Sequence, residues 1–346
     1  MSQSLTDMQL MVFMGARRGS TVWIRACFTP ASVLGSVEVQ ISPIFATTRH
    51  RNILLAILFT VLPLYSLEVP AATSKSKSAD SWSVTWQPVG LVNGSPVILR
   101  VTPPERLKSL TGTWLKHEIY FSADSQSKVW YAIAGASLET RPGNYPLELK
   151  GVTATGKDLS FEKPIAVGKG KYHSIAASVP KKYTEPNPEQ LQEINQDKAI
   201  KERAFANVTP EREWAGSFHP PVKAQISDVF GTSRTFNGKT QSVHQGLDYA
   251  VPEGTPVAAL NSGTVLLAQP LYFEGNCVVL DHGQGLLTLY MHLSKIEVKA
   301  GEHVTGGQKI GVSGGTGRAT GPHLHVAVRW EGVYLNPETL LGLQLP

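Results

Sequence analysis

Residues 323–330 read His-Leu-His-Val-Ala-Val-Arg-Trp. The β-branched and aromatic content makes this run a strand. A strand points residues i and i+2 to the same face, so His323 and His325 project together into one groove. Working outward, six of the ten histidines fall between 244 and 325. The informative ones sit in three patches: His244-Gln-Gly-Leu-Asp248, Tyr290-Met-His292-Leu293 and His323-Leu-His325. Gly246 and the turn-forming Val251-Pro-Glu-Gly254 allow a loop-to-strand hairpin that aims His244 and Asp248 inward. Two imidazoles and a carboxylate with an open fourth position form a catalytic rather than a structural zinc set. Zn²⁺ in such a set polarises a carbonyl and acidifies a water, which is hydrolytic chemistry. Two histidines then remain, one as general base and one to stabilise an oxyanion or protonate a leaving amine. A lone His-x-x-x-Asp or His-x-His is common by chance; the three patches together, in order, are specific. Spacing alone does not choose which of His323 and His325 is the ligand.

From about Phe218 to Leu340 the chain resembles peptidase family M23, the LytM/lysostaphin-type zinc endopeptidases. The resemblance runs through Phe230-Gly-Thr-Ser-Arg234, Asn237-Gly238, His244-x-Gly-x-Asp248, Pro252-x-Gly-Thr-Pro-Val257, Asp281-His-Gly283, Tyr290-x-His-Leu293, Gly306-Gly-Gln-x-Ile-Gly311 and Gly321-Pro-His-Leu-His325. It implies one Zn²⁺ held by His244, Asp248 and His325, with His292 and His323 as catalytic histidines, in the groove of an antiparallel sheet. It also implies a peptidoglycan substrate and action in the periplasm or outside the cell. A regulator that binds the wall without catalysis is the alternative, since relatives of that kind lack ligands; every ligand position is filled here. Arg234 either holds a substrate carboxylate or braces the loop before His244, and Asn276 is a second candidate for substrate contact. Gly135–Leu147 (GASLETRPGNYPL) resembles the β-rich domain that precedes some exported members.

The 346 residues predict about two domains at roughly 100 to 200 residues each. Short β-type runs at Trp82–Trp86, Val97–Thr102, His117–Phe121, Val129–Ala134, Tyr145–Lys150 and Pro164–Val167, separated by turn signals, predict a β-sandwich-like unit. Asn187-Pro188 opens a charged helix to about Phe205 with a thin apolar stripe, expected to lie solvated between domains. The fold class is therefore mainly β, divided into a leader at 1–72, an N-terminal β-domain at 73–180, a linker with a helix at 181–217 and a peptidase domain at 218–346.

Arg49-His-Arg51, the apolar run Ile53–Leu67 and the small residues near Ala71-Ala72 follow one another in the order of a secretory signal peptide. Met1 to about Thr48 reads as a mis-called start, or else as a long n-region; an uncleaved leader would act as an N-terminal membrane anchor. Without residues 1–72 the net charge falls from +5 to +3, and Cys277 is left as one thiol in an apolar run, read as a buried hydrophobe. Nothing resembles a Lys/Arg block, so nucleic acid is not an expected partner. Gly311–Gly321 lacks the Gly-Lys-Ser/Thr ending of a phosphate loop, which argues against nucleotides and for a cleft wall. His282 reads as a turn residue and His303 as exposed. Amino-terminal sequencing of the exported protein is expected to begin near Ala72 or Thr73; a start before Arg49 would refute the leader.

Overall fold

The computed structural model describes residues 81–206, 209–238 and 240–346, and before them only the paired strands β1 (Arg25–Ala26) and β2 (Val37–Glu38). The signal-like run, its cleavage point and the anchor lie outside the described residues. The chain divides into Met1–Thr73 and the compact unit Ser74–Pro346. Among the described residues no helix is long and apolar enough to cross a membrane.

Eight strands open the compact unit: β3 (Ser83–Gln87), β4 (Pro96–Thr102), β5 (Leu107–Trp114), β6 (His117–Tyr120), β7 (Ser122–Ala123), β8 (Trp130–Gly135), β9 (Gly143–Thr153) and β10 (Asp158–Val167). They form two four-stranded sheets, ordered β3-β4-β8-β7 and β10-β9-β5-β6. Burial alternates along β9, with Leu147 and Leu149 in and Glu148 and Lys150 out, as period-two patterning requires. These residues share an apolar core with Val97, Leu99, Val101, Trp114 and Ile165. Sequence reading missed β5, because its polar run Leu-Lys-Ser-Leu-Thr-Gly-Thr-Trp carries few β-branched residues and a central glycine.

A connection follows with β11 (Ser174–Ala177) and α1 (Pro188–Phe205). Asn187 and Gln190 make a reciprocal capping box, and Pro188 takes the first helical position, as the sequence predicts. No residue of α1 is fully buried, yet it is tied down: Ile200, Ala204 and Phe205 pack on a cluster that includes Leu267, Val279 and Leu289. Asp197 accepts from the Tyr272 amide at 2.6 Å, and Lys201 pairs with Glu274 at 2.5 Å. The helix therefore covers a sheet face rather than merely bridging solvent.

The remainder contains β12 (Ile226–Asp228), β13 (Ser233–Phe236), β14 (Thr240–Val243), β15 (Leu247–Tyr249), β16 (Pro256–Ala258), β17 (Gly263–Leu271), β18 (Gly275–Asp281), β19 (Leu286–Leu293), β20 (Lys295–Ile296), β21 (His303–Val304), β22 (Lys309–Val312), β23 (Leu324–Trp330), β24 (Val333–Leu335) and α2 (Pro337–Leu341). The main sheet runs β12-β15-β23-β19-β18-β17-β21, with β24 also on β23. Its inner strands β18, β19 and β23 are buried on nearly every residue, as a sheet covered on both faces demands. β16-β22-β20 form a small second sheet. β11, which the sequence groups with the first β-unit, pairs in parallel with β13 and extends β13-β14 to three strands. Gly135 sits so close to Leu335 that a Cβ there would fall 2.3 Å from Leu335 Cδ1, so the two β-units meet without a gap.

His282 differs from the expected turn residue. It does lead into the Gly283-Gln284-Gly285 turn, but its ring is fully buried, with Nδ1 donating to the Ser262 carbonyl at 2.6 Å and Nε2 facing the Thr288 hydroxyl at 2.8 Å. Burial pushes its imidazole down to about 4 from 6.5. The unfolded chain therefore takes up the proton first as pH falls below about 6.5, and the folded state loses up to about 3 kcal/mol by pH 4 through this group. Urea midpoints measured across pH 4 to 7 are expected to fall less steeply toward acid in His282→Gln than in the wild type.

Candidate active site

Asp248 and His325 lie opposite each other on β15 and β23, and Met291 of β19 lies on the far side of His325. Directly opposed residues share a face with Cβ atoms about 5 Å apart, so the ladder register itself brings carboxylate and imidazole together. His244 arrives from the end of β14. Its amide donates to the Thr232 carbonyl at 2.8 Å, and its own carbonyl accepts from Gly231 at 2.8 Å. His244 Nδ1 donates to the Val229 carbonyl at 2.8 Å, which leaves Nε2 as a bare lone pair aimed inward.

Three atoms converge. His244 Nε2 lies 3.0 Å from Asp248 Oδ1 and 3.0 Å from His325 Nδ1, and His325 Nδ1 lies 2.7 Å from Asp248 Oδ1. A single proton on His325 can serve only part of this triangle, because His244 Nε2 and Asp248 Oδ1 are both acceptors. The spacing is a few tenths of an ångström under the roughly 3.3 Å edge of a tetrahedron with bonds of about 2.0 Å. The donor set thus fits a small divalent cation. His244, Asp248 and His325 are the one group of this kind found among the described residues.

Why the spacing is His-x-Gly-x-Asp becomes clear from the packing. A Cβ on Gly246 would lie 2.4 Å from His325 Nε2 and 2.5 Å from the Val326 carbonyl. Only a residue without a side chain lets the strand carrying Asp248 pass behind the His325 ring.

Asp248 is 6% exposed. Burial pushes its carboxyl up, but the adjoining imidazoles of His244 and His325 outweigh it and hold the group well below the usual carboxylate range. Arg234 completes the arrangement. Its Nη2 lies 2.6 Å from Asp248 Oδ2 and 2.6 Å from Asp228 Oδ2, and its Nε lies 2.9 Å from Asp228 Oδ2. The structure places Arg234, expected either at a substrate carboxylate or as a brace for the loop before His244, with its Nε and Nη2 on the two carboxylates of Asp228 and Asp248. Asp228 also lies 3.6 Å from His244 Nδ1.

His292 and His323 stand beside this triangle, with ring centroids 4.7 Å apart, and His292 lies 6.0 Å from the His325 ring. His292 adopts φ +60°, in the left-handed region, next to the register shift between β18 and β19. That conformation turns its ring out of the ladder toward the groove. His292 Nδ1 donates to the Thr316 carbonyl at 2.8 Å, and His323 Nδ1 to the Gly321 carbonyl at 2.8 Å. Both rings therefore present a bare Nε2. Burial, with His325 and His323 alongside, pushes the His292 imidazole down to about 3.

Asn276, expected at the substrate, has its amide committed to the Leu293 and Ser294 carbonyls at 3.0 and 3.2 Å, while its main-chain N–H reaches Thr316 Oγ1 at 2.9 Å. In this structure it staples the bulge that sets His292. Asp228 escapes sequence reading, and Thr316 enters it only as part of the motif Thr316-Gly317. Asp228 sits two residues before Phe230-Gly231 with no motif of its own, and Thr316 acts through its carbonyl, which any residue carries. Cys277 is buried, as expected, and burial pushes its thiol upward. The five histidine and aspartate side chains of the site, with Arg234 and Asp228, line a groove of about 480 Å³ that Thr320 and Gly321 help to wall.

A sheet groove in which two imidazoles and a carboxylate converge beside two further histidines has the arrangement of a hydrolase site able to hold a divalent cation. A sequence profile of peptidase family M23 matches residues 242–337. A crystal structure of a Pseudomonas aeruginosa protein assigned to peptidase M23 superposes with a TM-score of 0.56 at 30% identity, covering 72% of this chain and 95% of that one. The chain belongs to peptidase family M23. Peptidoglycan DD-endopeptidase ShyA of Vibrio cholerae is 51% identical over 125 residues, 36% of this chain and 27% of that protein. DD-carboxypeptidase/endopeptidase Mpg of Neisseria meningitidis is 41% identical over 121 residues, 35% of this chain and 28% of that protein. The chain thus matches less than a third of the length of these relatives.

Gly246→Ala is expected to displace His325 and weaken Zn²⁺ binding at least about tenfold, comparable with loss of a supporting contact around a metal. Calorimetric titration of Zn²⁺, with the thermal midpoint measured in parallel, checks it; unchanged affinity would refute the close-approach argument.

Proposed function

We propose that the chain is a zinc-dependent endopeptidase that hydrolyses peptide bonds in peptidoglycan, acting at the cell envelope, in the periplasm or after secretion. The observation that carries this reading is the convergence of His244 Nε2, Asp248 Oδ1 and His325 Nδ1 within 3.0 Å of one another, with two more imidazoles alongside. Names of the relatives supply the substrate class: ShyA is a peptidoglycan DD-endopeptidase.

His244, Asp248 and His325 would hold one Zn²⁺, which supplies Lewis-acid polarisation of the scissile carbonyl and acidifies a water. The protein does the rest. His292 and His323 each keep Nδ1–H on a main-chain carbonyl, which fixes the tautomer and leaves Nε2 as a proton acceptor toward the groove. One of them takes the proton that the attacking water releases. Protonated, that ring is a donor to the leaving amine nitrogen, which departs with the proton as the carbon–nitrogen bond breaks. The other accepts a hydrogen bond from the water and fixes its line of approach. Arg234 orients Asp248 from behind, and Asn276 with Thr316 holds the bulge under His292.

Purified sacculi incubated with the zinc-loaded protein are expected to release soluble peptide fragments, identified by mass. His244→Ala should lose both metal and activity. His323→Ala should keep one Zn²⁺ per chain yet lose about 10²- to 10⁴-fold in turnover. Activity surviving in both variants would refute the mechanism. No release by the intact protein, with one Zn²⁺ bound, would favour the regulator.

A further inference from the structure

The groove contains a second arginine, and its circumstances are the reverse of those of Arg234. Arg318 follows Thr316 by two residues, and its amide donates to the Phe273 carbonyl at 2.8 Å. Its guanidinium carbon lies 4.7 Å from the centroid of the Phe273 ring and 5.2 Å from that of Phe236. Both rings and the arginine line the same groove as His292 and His323. Cation–π contact with aromatic rings consumes none of the hydrogen bonds that the guanidinium's edge of N–H donors can make. Among the described residues, no ion pair or hydrogen bond occupies that edge. Glu274, whose charge acts on Arg318, is already paired with Lys201 at 2.5 Å. The side chain is half-buried, and burial pulls its guanidinium below the ordinary range. A partly desolvated cation with idle donors is costly to maintain unless an anion completes it.

We propose that Arg318 is a specificity-determining residue that reads a free carboxylate on the peptide substrate, at a residue near the bond that is cut. This rests on the endopeptidase reading above. The aromatic clamp fixes the fork in one orientation, which suits the planar, two-point pairing of guanidinium with carboxylate. Such a carboxylate comes from one of two places in a peptide, the free α-carboxyl end or an acidic side chain. Arg234 is already charge-paired, with its Nε and Nη2 engaged by Asp228 and Asp248. Arg318 has no role in the proton transfers.

The test uses the full zinc-loaded chain and synthetic cross-linked stem peptides in three forms: unmodified, amidated at the α-carboxyl end, and amidated at the side-chain carboxyl. Cleavage kinetics and calorimetric affinity are measured for the wild type, Arg318→Gln and Arg318→Lys, with Zn²⁺ content and thermal midpoint as controls on folding. Amidation at one of the two positions is expected to raise the wild-type KM about 10- to 100-fold, the range for a hydrogen bond to a charged group, and to leave kcat little changed. The position that responds identifies the source of the carboxylate. Arg318→Gln should show the same loss on the unmodified peptide and no further loss on amidation, whereas Arg318→Lys should recover part of the difference. Equal wild-type KM for all three peptides would overturn the proposal, even if Arg318→Gln failed to fold. So would an amidation penalty as large in Arg318→Gln as in the wild type. Should the wild type cleave none of the peptides yet bind the unmodified form more tightly through Arg318, the endopeptidase reading fails and carboxylate recognition stands.

Discussion

Asp248 is the point on which the site turns. A carboxylate this deeply buried is stable only if each oxygen is compensated, and here the two oxygens are divided between tasks. Oδ1 faces the imidazoles of His244 and His325, while Oδ2 is held by Arg234. Arg234 in turn is anchored by Asp228, whose strand β12 pairs with β15 at Asp248 itself. Five charged or polar side chains from five segments thus share one network, and removing a member leaves a buried polar group short of a partner.

The surrounding architecture preserves that network. β15 and β23 set Asp248 and His325 opposite each other through ladder register, which also places Met291 of β19 beside His325, and backbone hydrogen bonds fix register far more firmly than a loop could. The bulge between β18 and β19 then swings His292 toward the groove, and Asn276, Thr316 and the Leu293 carbonyl close around it. β11 lies along β13, whose Arg234 braces Asp248, so the connection between the β-units also forms part of the groove wall. α1 seals the sheet on the face that its apolar residues require.

Much of this was legible in the residues. His323 and His325 share a face because strands alternate, α1 begins where Asn187 and Pro188 place it, and Cys277 is buried where its apolar neighbours suggest. The illegible parts have identifiable reasons. β5 pairs through a run with little β-propensity, since its neighbours β6 and β9 rather than its own side chains hold it. His282 looked like a turn residue because the turn that follows it is local, whereas its burial depends on Ser262 and Thr288, brought in from other strands. Arg318 carries no motif; its significance arises only when Phe236 and Phe273, remote in sequence, close on it.

The sequence by itself determined the inventory: five site residues of the right chemistry, a mainly β fold, and a glycine between His244 and Asp248. Those follow from local rules, namely side-chain period, turn chemistry and donor type. Tertiary structure decided the assignments. It brought Oδ1 of Asp248, rather than another acid, to the two imidazoles, committed Arg234 to bracing and left Arg318 with its donors idle. Such outcomes depend on which buried charges find partners, and that is settled only when strands distant in the chain come into register.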